Sequence, residues 1–134
     1  VNKENIPLNM KIPPSCFETN LLLSYNKPTL IEYAAFFGSI QIVNYLKING
    51  VELTPSLWIY AIYSNNGELI DYLENYNCEP EDKTYKTCFC EAVSCHHNNI
   101  AKYFLNNRNI NTFPLGFYLL NENYDMIPFD RSSY

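Results

Sequence analysis

The sequence predicts an all-α fold, a solenoid of about three stacked helix-turn-helix repeats with shortened connecting loops. Three observations support this. Three segments of the chain align in one register without internal gaps. Apolar residues recur within them at helical spacing. A small residue also holds the same place in each, as close packing of neighbouring helices requires.

The aligned segments are Thr29–Leu46, Ser56–Leu73 and Thr87–Phe104. Each opens on a hydroxyl residue (Thr29, Ser56, Thr87), which is expected to cap the first helix by accepting from a free first-turn amide. Ala34, Ala61 and Ala92 follow at one shared position, where helices approach most closely. Gly38, Asn65 and His96 then stand at the turn between the two helices of each unit. Glycine and asparagine tolerate positive φ at a helix end, and histidine does so less well. The second helices carry Ile42, Leu69 and Ile100, then a column of Tyr45, Tyr72 and Tyr103, then Leu46, Leu73 and Phe104. Trp58 matches Ile31 and Phe89 and is expected in the core. The tyrosines should supply apolar area while each hydroxyl finds water or a backbone partner.

The repeat boundaries expected from this register are 29–55, 56–86 and 87–113. Residues 1–28 hold Pro7, Pro13, Pro14 and Pro28, with room for a helix from Ser15 to Leu23 that would be the remnant of a preceding unit. Residues 114–134 are expected to form a partial fourth repeat or a C-terminal cap, with Pro114–Leu120 as its first helix. Cys78–Lys86, with Pro80 and several acids, reads as a longer connection.

The first unit, with Thr29, Ala34-Ala35, Gly38 and Ile40-Gln41-Ile42-Val43 running on to Gly50, resembles an ankyrin repeat. Leu30 and Glu32 stand where that pattern prefers proline and histidine. Val51–Leu73 and the stretch around His96 and His97 also resemble a divergent ankyrin-type domain of unknown function expanded in certain parasitic protists. Ankyrin units recur every ~33 residues, whereas Thr29 to Ser56 is 27 and Ser56 to Thr87 is 31. Lys47–Pro55 is therefore expected to be too short for the projecting hairpin of standard arrays, leaving the concave helical face to hold a partner. The resemblance implies contact positions between the paired small residues and the turn: Phe36 and Phe37, Tyr63 and Ser64, Ser94 and Cys95. A competing reading is that Phe36 and Tyr63 only complete the core.

Composition narrows the function. The formal charge of −5 argues against nucleic acid, which needs clustered Lys and Arg along a phosphate backbone. No apolar run approaches the ~18 residues that span a bilayer. Five cysteines, odd in number and irregular in spacing, suit reduced thiols and a cytoplasmic location. Cys88, Cys90, Cys95, His96 and His97 are the sharpest metal or thiol-enzyme candidate. Yet C-x-C-x4-C-H-H on one helix and its end sends neighbouring side chains ~100° apart, and structural zinc sites use two separated ligand pairs. Structural cysteines are the expectation, with no cofactor and no catalysis.

The function expected is a protein-interaction module that binds a protein partner through the concave helical face. One alternative is a purely structural spacer or cap within a larger protein. A remote one is a metal-dependent or thiol enzyme built on Cys88–His97. The open ends of such a solenoid also suit pairing with a second copy of the chain.

Overall fold

The computed structural model describes residues 8, 10, 11, 27–108, 110 and 113–127. The proposed helix Ser15–Leu23 lies outside them. The described residues contain seven α-helices and one 3-10 turn, with no strand and only an isolated antiparallel bridge between Lys11 and Thr29. They form two compact units, divided after Glu79. The first holds two helix pairs: α1 (Leu30–Phe36) with α2 (Ile40–Ile48), and α3 (Leu57–Tyr63) with α4 (Gly67–Asn75). The second holds α5 (Lys86–Ser94) with α6 (Asn98–Asn107), then α7 (Leu115–Leu120) and the 3-10 turn Tyr124–Met126.

These helices are too short to persist alone, since isolated helices below ~12–15 residues are marginal in water. Packing holds them. In the first unit α1 packs against α2 and α3, and α3 against α4. The core consists of Ile31, Ala34 and Ala35 of α1, Val43 and Leu46 of α2, Leu57, Trp58, Ala61 and Ile62 of α3, and Leu69, Ile70 and Leu73 of α4. In the second unit α5 packs on α6. There Phe89 stacks against Phe113 with ring centroids 5.3 Å apart, and Phe113 meets Phe117 at 4.7 Å. Ala34, Ala61 and Ala92 are all buried, as the register requires.

The helix ends show how the pairs close. After α1, Gly38 adopts φ 71; its amide donates to the Ala35 carbonyl at 3.0 Å, and the Ser39 amide to that of Ala34 at 2.9 Å. This is a Schellman turn, which satisfies carbonyls that a helix end would otherwise strand. The same pair of bonds ends α5, with His96 at φ 59 and the His97 amide donating to Ala92 at 2.9 Å. It also ends α7, with Glu122 at φ 53 and the Asn123 amide donating to Tyr118 at 2.9 Å. Asn65 takes φ 53 after α3. The second helices close alike: Gly50 (φ 97) follows α2 and Asn77 (φ 55) follows α4. The turn positions expected at Gly38, Asn65 and His96 are all left-handed.

The helix starts are less uniform. Thr29 caps α1 in a reciprocal capping box, its own amide donating to Glu32 Oε1 at 3.0 Å. Ser56 and Thr87, expected to cap likewise, do not. Thr54 and Pro55 begin the turn into α3, with the Leu57 amide donating to Thr54 at 3.1 Å, so Ser56 already has helical dihedrals. Thr87 lies inside α5, and Asp82 does the capping, accepting from the Thr87 amide at 2.9 Å and the Thr87 hydroxyl at 2.8 Å.

Burial along the second helices is not uniform. Ile42 is 48% exposed, while its counterparts Leu69 and Ile100 are buried. Tyr72 explains this: its hydroxyl reaches back to Asn44 Oδ1 at 2.9 Å, so the Leu69–Tyr72 side of α4 faces the preceding pair. Among the described residues no helix precedes α1 to cover the matching side of α2. The tyrosine column is correspondingly uneven: Tyr45 is exposed, and Tyr72 and Tyr103 are half-buried. Trp58 behaves as expected. It is fully buried, and its indole N–H donates to the Cys78 carbonyl at 2.8 Å, tying α3 to the chain after α4.

Asparagines link successive elements in a way the repeat pattern does not announce. Asn66 accepts from the Glu68 amide at 3.0 Å as the cap of α4, and its side-chain N–H donates to the Gly38 carbonyl at 3.1 Å. In the second unit, buried Asn123 donates to the Val93 carbonyl at 2.9 Å and to Asn98 Oδ1 at 2.7 Å.

A Cβ at Gly38 would sit 3.2 Å from Asn66 Nδ2 on a backbone that L side chains disfavour. Gly38→Ala is expected to lower unfolding free energy by about 1–2 kcal/mol in urea titration. Ala61→Leu, which overfills the closest approach of α3, is expected to cost about 1–3 kcal/mol by the same measurement.

Candidate functional site

The turn that closes each helix pair also determines which side chains project from it. In the first pair, α1 ends at Phe36 and Phe37 is its C-cap residue, followed by left-handed Gly38. Phe37 is therefore carried out of the core and remains 61% exposed. Its exposed ring area leaves unrealised part of the ~1.5–3 kcal/mol that full burial of a phenylalanine contributes.

Phe37 is not isolated. Its ring meets Tyr33 at 4.9 Å and Phe36, edge-on, at 5.1 Å. Phe36 in turn lies parallel to Tyr63 of α3, centroids 6.2 Å apart and planes 27° from coplanar. Phe36 and Tyr63 are both half-buried. They therefore contribute to packing while leaving ring area in solvent, between the two readings open at the sequence level. Ser64 is half-buried, and its hydroxyl donates to the Ala61 carbonyl at 2.6 Å, which completes the end of α3. Four aromatic rings from two successive first helices thus make one continuous surface. Tyr33 is not among the contact positions that the resemblance implies. Its spacing of four residues from Phe37 puts the two rings on one side of a helix, which is the signal that could have found it.

Ser94 and Cys95 occupy the matching places in the second unit. Ser94 is exposed, and its hydroxyl donates to Asn121 Oδ1 at 2.7 Å. Cys95 is half-buried at the C-cap of α5. This end of α5 is polar: the His96 ring nitrogen Nε2 lies 3.1 Å from the Asn121 carbonyl.

The remaining cysteine and histidine candidates do not converge. Cys88 is buried in α5, and burial, reinforced by the nearby Asp82 carboxylate, pushes its thiol up to about 12. Burial first, then Glu91, also raises Cys90. Thiols shifted in this direction are poor nucleophiles and poor thiolate ligands near neutrality. Among the described residues no group of three or more His, Cys, Asp and Glu is placed to hold a metal ion. A concavity of about 650 Å³, open to solvent, lies in the first unit between Thr29, Glu32, Val51 and Glu52. Two of its polar lining residues, Thr29 and Glu32, are committed to the capping box of α1.

No described helix is long and apolar enough to cross a membrane. No curated protein and no solved structure gave a match to the chain. A family model described as ankyrin repeats in three copies matches residues 30–114. That span runs from the first residue of α1 to the residue before α7, and it agrees with helix pairs closed by left-handed turns. The chain belongs to the ankyrin-repeat family.

Proposed function

We propose that this chain binds a protein partner through the aromatic surface of Tyr33, Phe36, Phe37 and Tyr63, with Ser64 at its margin. Ankyrin repeats are in general protein–protein interaction modules, and the exposure of Phe37 on a packed aromatic base is the observation that carries the assignment. Interface hot spots are enriched in large aromatic side chains held on rigid supports and ringed by less critical contacts. Phe37 has that support, because Tyr33 and Phe36 fix its ring and the Schellman turn fixes its backbone. Ser94 and Cys95 are the corresponding contacts offered by the second unit. The repeat boundaries 29–55, 56–86 and 87–113, with 114–134 as a partial fourth unit, belong to the same reading. The recurrence of the left-handed turn at Glu122 supports it.

The chain acts by binding and not by catalysis. The raised thiols of Cys88 and Cys90 and the commitment of His96 to the end of α7 support that view.

Phe37→Ala is expected to weaken capture of the partner by about 2 kcal/mol or more, roughly thirtyfold. Affinity capture followed by titration with the recovered partner measures this. The melting temperature should move little, because the ring is mostly in solvent. Leu46→Ala, within the core, should instead cost about 2–5 kcal/mol of stability. Recovery of nothing stoichiometric by the unaltered chain would mark a structural spacer.

A second expected outcome concerns pH. Folding raises Cys88 from 9.0 to about 12, and burial with help from Glu32 raises Tyr60 from 10.0 to about 12. A raised acid favours folding while neutral in both states, so this stabilisation is complete below pH 9 and is lost as pH climbs toward 12. Urea midpoints are expected to fall across that window. Iodoacetamide should leave Cys88 unmodified in the native chain near neutral pH and label it after unfolding.

A further inference from the structure

The aromatic surface lies at the end of the first unit where its helix pairs turn. α1 runs into the turn at Gly38 and α3 into the turn at Asn65. The side-chain N–H of Asn66 donates to the Gly38 carbonyl at 3.1 Å, so the two turns are joined. Among the described residues, the cations of this unit stand elsewhere. Lys11 and Lys27 flank the start of α1, Lys11 through its bridge to Thr29. The helical rise from Thr29 to Phe37 is about 12 Å. Lys47 lies in the last turn of α2, and its ammonium sits 3.9 Å from the centre of the Tyr76 ring. No described cation lies over Tyr33, Phe36 or Phe37.

We propose that this surface takes an arginine side chain of the protein partner, its guanidinium stacked on Phe37 and paired with the Glu68 carboxylate. The inference rests on the protein-binding reading and specifies what that surface recognises. The face of an aromatic ring carries negative potential and attracts a cation. Phe37 is exposed and held by Tyr33 and Phe36, so it offers such a face at little cost in freedom. Glu68 supplies the charge. It is exposed in the first turn of α4, and its amide donates to Asn66 Oδ1 at 3.0 Å. One asparagine side chain therefore spans from Glu68 to the residue after Phe37.

The Glu68 carboxylate is not needed by the fold. Asn66 Oδ1 already accepts from the Glu68 and Leu69 amides, so the start of α4 is capped without it. Among the described residues that carboxylate has no hydrogen bond and no ion pair. Salt screens charge over ~8 Å at physiological ionic strength, so the lysines at the start of α1 do little to offset Glu68. Asp and Glu also outnumber Lys and Arg across residues 1–79. An apolar side chain would use the ring and leave this charge unanswered. A lysine would answer the charge and stack less well, because its ammonium is a compact, strongly hydrated point. The planar guanidinium does both, stacking on one face and donating a fork of hydrogen bonds at its edge.

The test uses the 134-residue chain, isotopically labelled, with amide chemical shifts followed by NMR. The probes are acetylated and amidated Gly-X-Gly peptides in which X is arginine, citrulline or leucine. Citrulline keeps the shape of arginine and lacks its charge. The arginine peptide is expected to give saturable shifts at residues 33–38 and 64–68. The citrulline peptide should bind about tenfold more weakly, the loss expected for one charge-assisted hydrogen bond. Glu68→Gln should weaken the arginine peptide by a similar factor and leave the citrulline peptide unchanged. Phe37→Leu, which keeps apolar area and removes the π face, should weaken the arginine peptide about threefold. Both side chains are exposed, so the rest of each variant's spectrum should be unaltered. Equal binding of the arginine and leucine peptides, no saturable shift at these residues, or undiminished binding by Glu68→Gln would overturn the proposal. Capture of a partner that Phe37→Ala prevents, with no competition by the arginine peptide, would overturn it while leaving the protein-binding reading intact. Arginine-peptide shifts with no partner captured would support this recognition and count against that reading.

Discussion

The described helices, of six to ten residues each, must reverse direction repeatedly without leaving helix-end carbonyls unpaired. The left-handed Schellman turn meets that constraint, and the rest of the structure depends on it. It sends two amides back onto the last turn and brings the following helix alongside. At the ends of α1 and α5, the carbonyl accepting the longer-range bond belongs to the buried alanine, Ala34 or Ala92. Small side chain and turn thus act at one place. The turn lets the second helix fold back, and the missing bulk lets its neighbours close in.

The proposed binding surface follows from the same geometry. A residue just before a left-handed turn is directed away from the core, so whatever side chain stands there is displayed on a rigid base. In the first unit that residue is Phe37, supported by Tyr33 and Phe36. In the second unit the equivalent place carries Cys95, with exposed Ser94 before it, and the local chemistry becomes polar. The fold keeps the display position and varies the side chain. This separation of scaffold from contact allows repeat proteins to change partners without refolding.

Much of this was legible in the residues. The register of Ala34, Ala61 and Ala92 was visible because close approach tolerates so few residue types. Gly38 and Asn65 were visible because positive φ selects them, and His96 followed from position alone. Helix starts were less legible. Ser56 looks like a cap until Pro55 is seen to begin the turn one residue earlier, and Thr87 looks like one until Asp82 reaches it across five positions. A capping rule based on one residue cannot express either arrangement. The exposure of Ile42 was hidden because burial on α2 depends on a neighbour, not on the helix's own pattern.

The most direct measurement is the backbone φ angle at Gly38, Asn65, His96 and Glu122 from NMR couplings and chemical shifts, combined with hydrogen exchange at the amides of Ser39, His97 and Asn123. Helix pairs closed by Schellman turns give positive φ at all four residues and slow exchange at all three amides. Negative φ at Asn65 or His96, or exchange at the unprotected rate at Ser39 and His97, would show that these helices are not joined in this way.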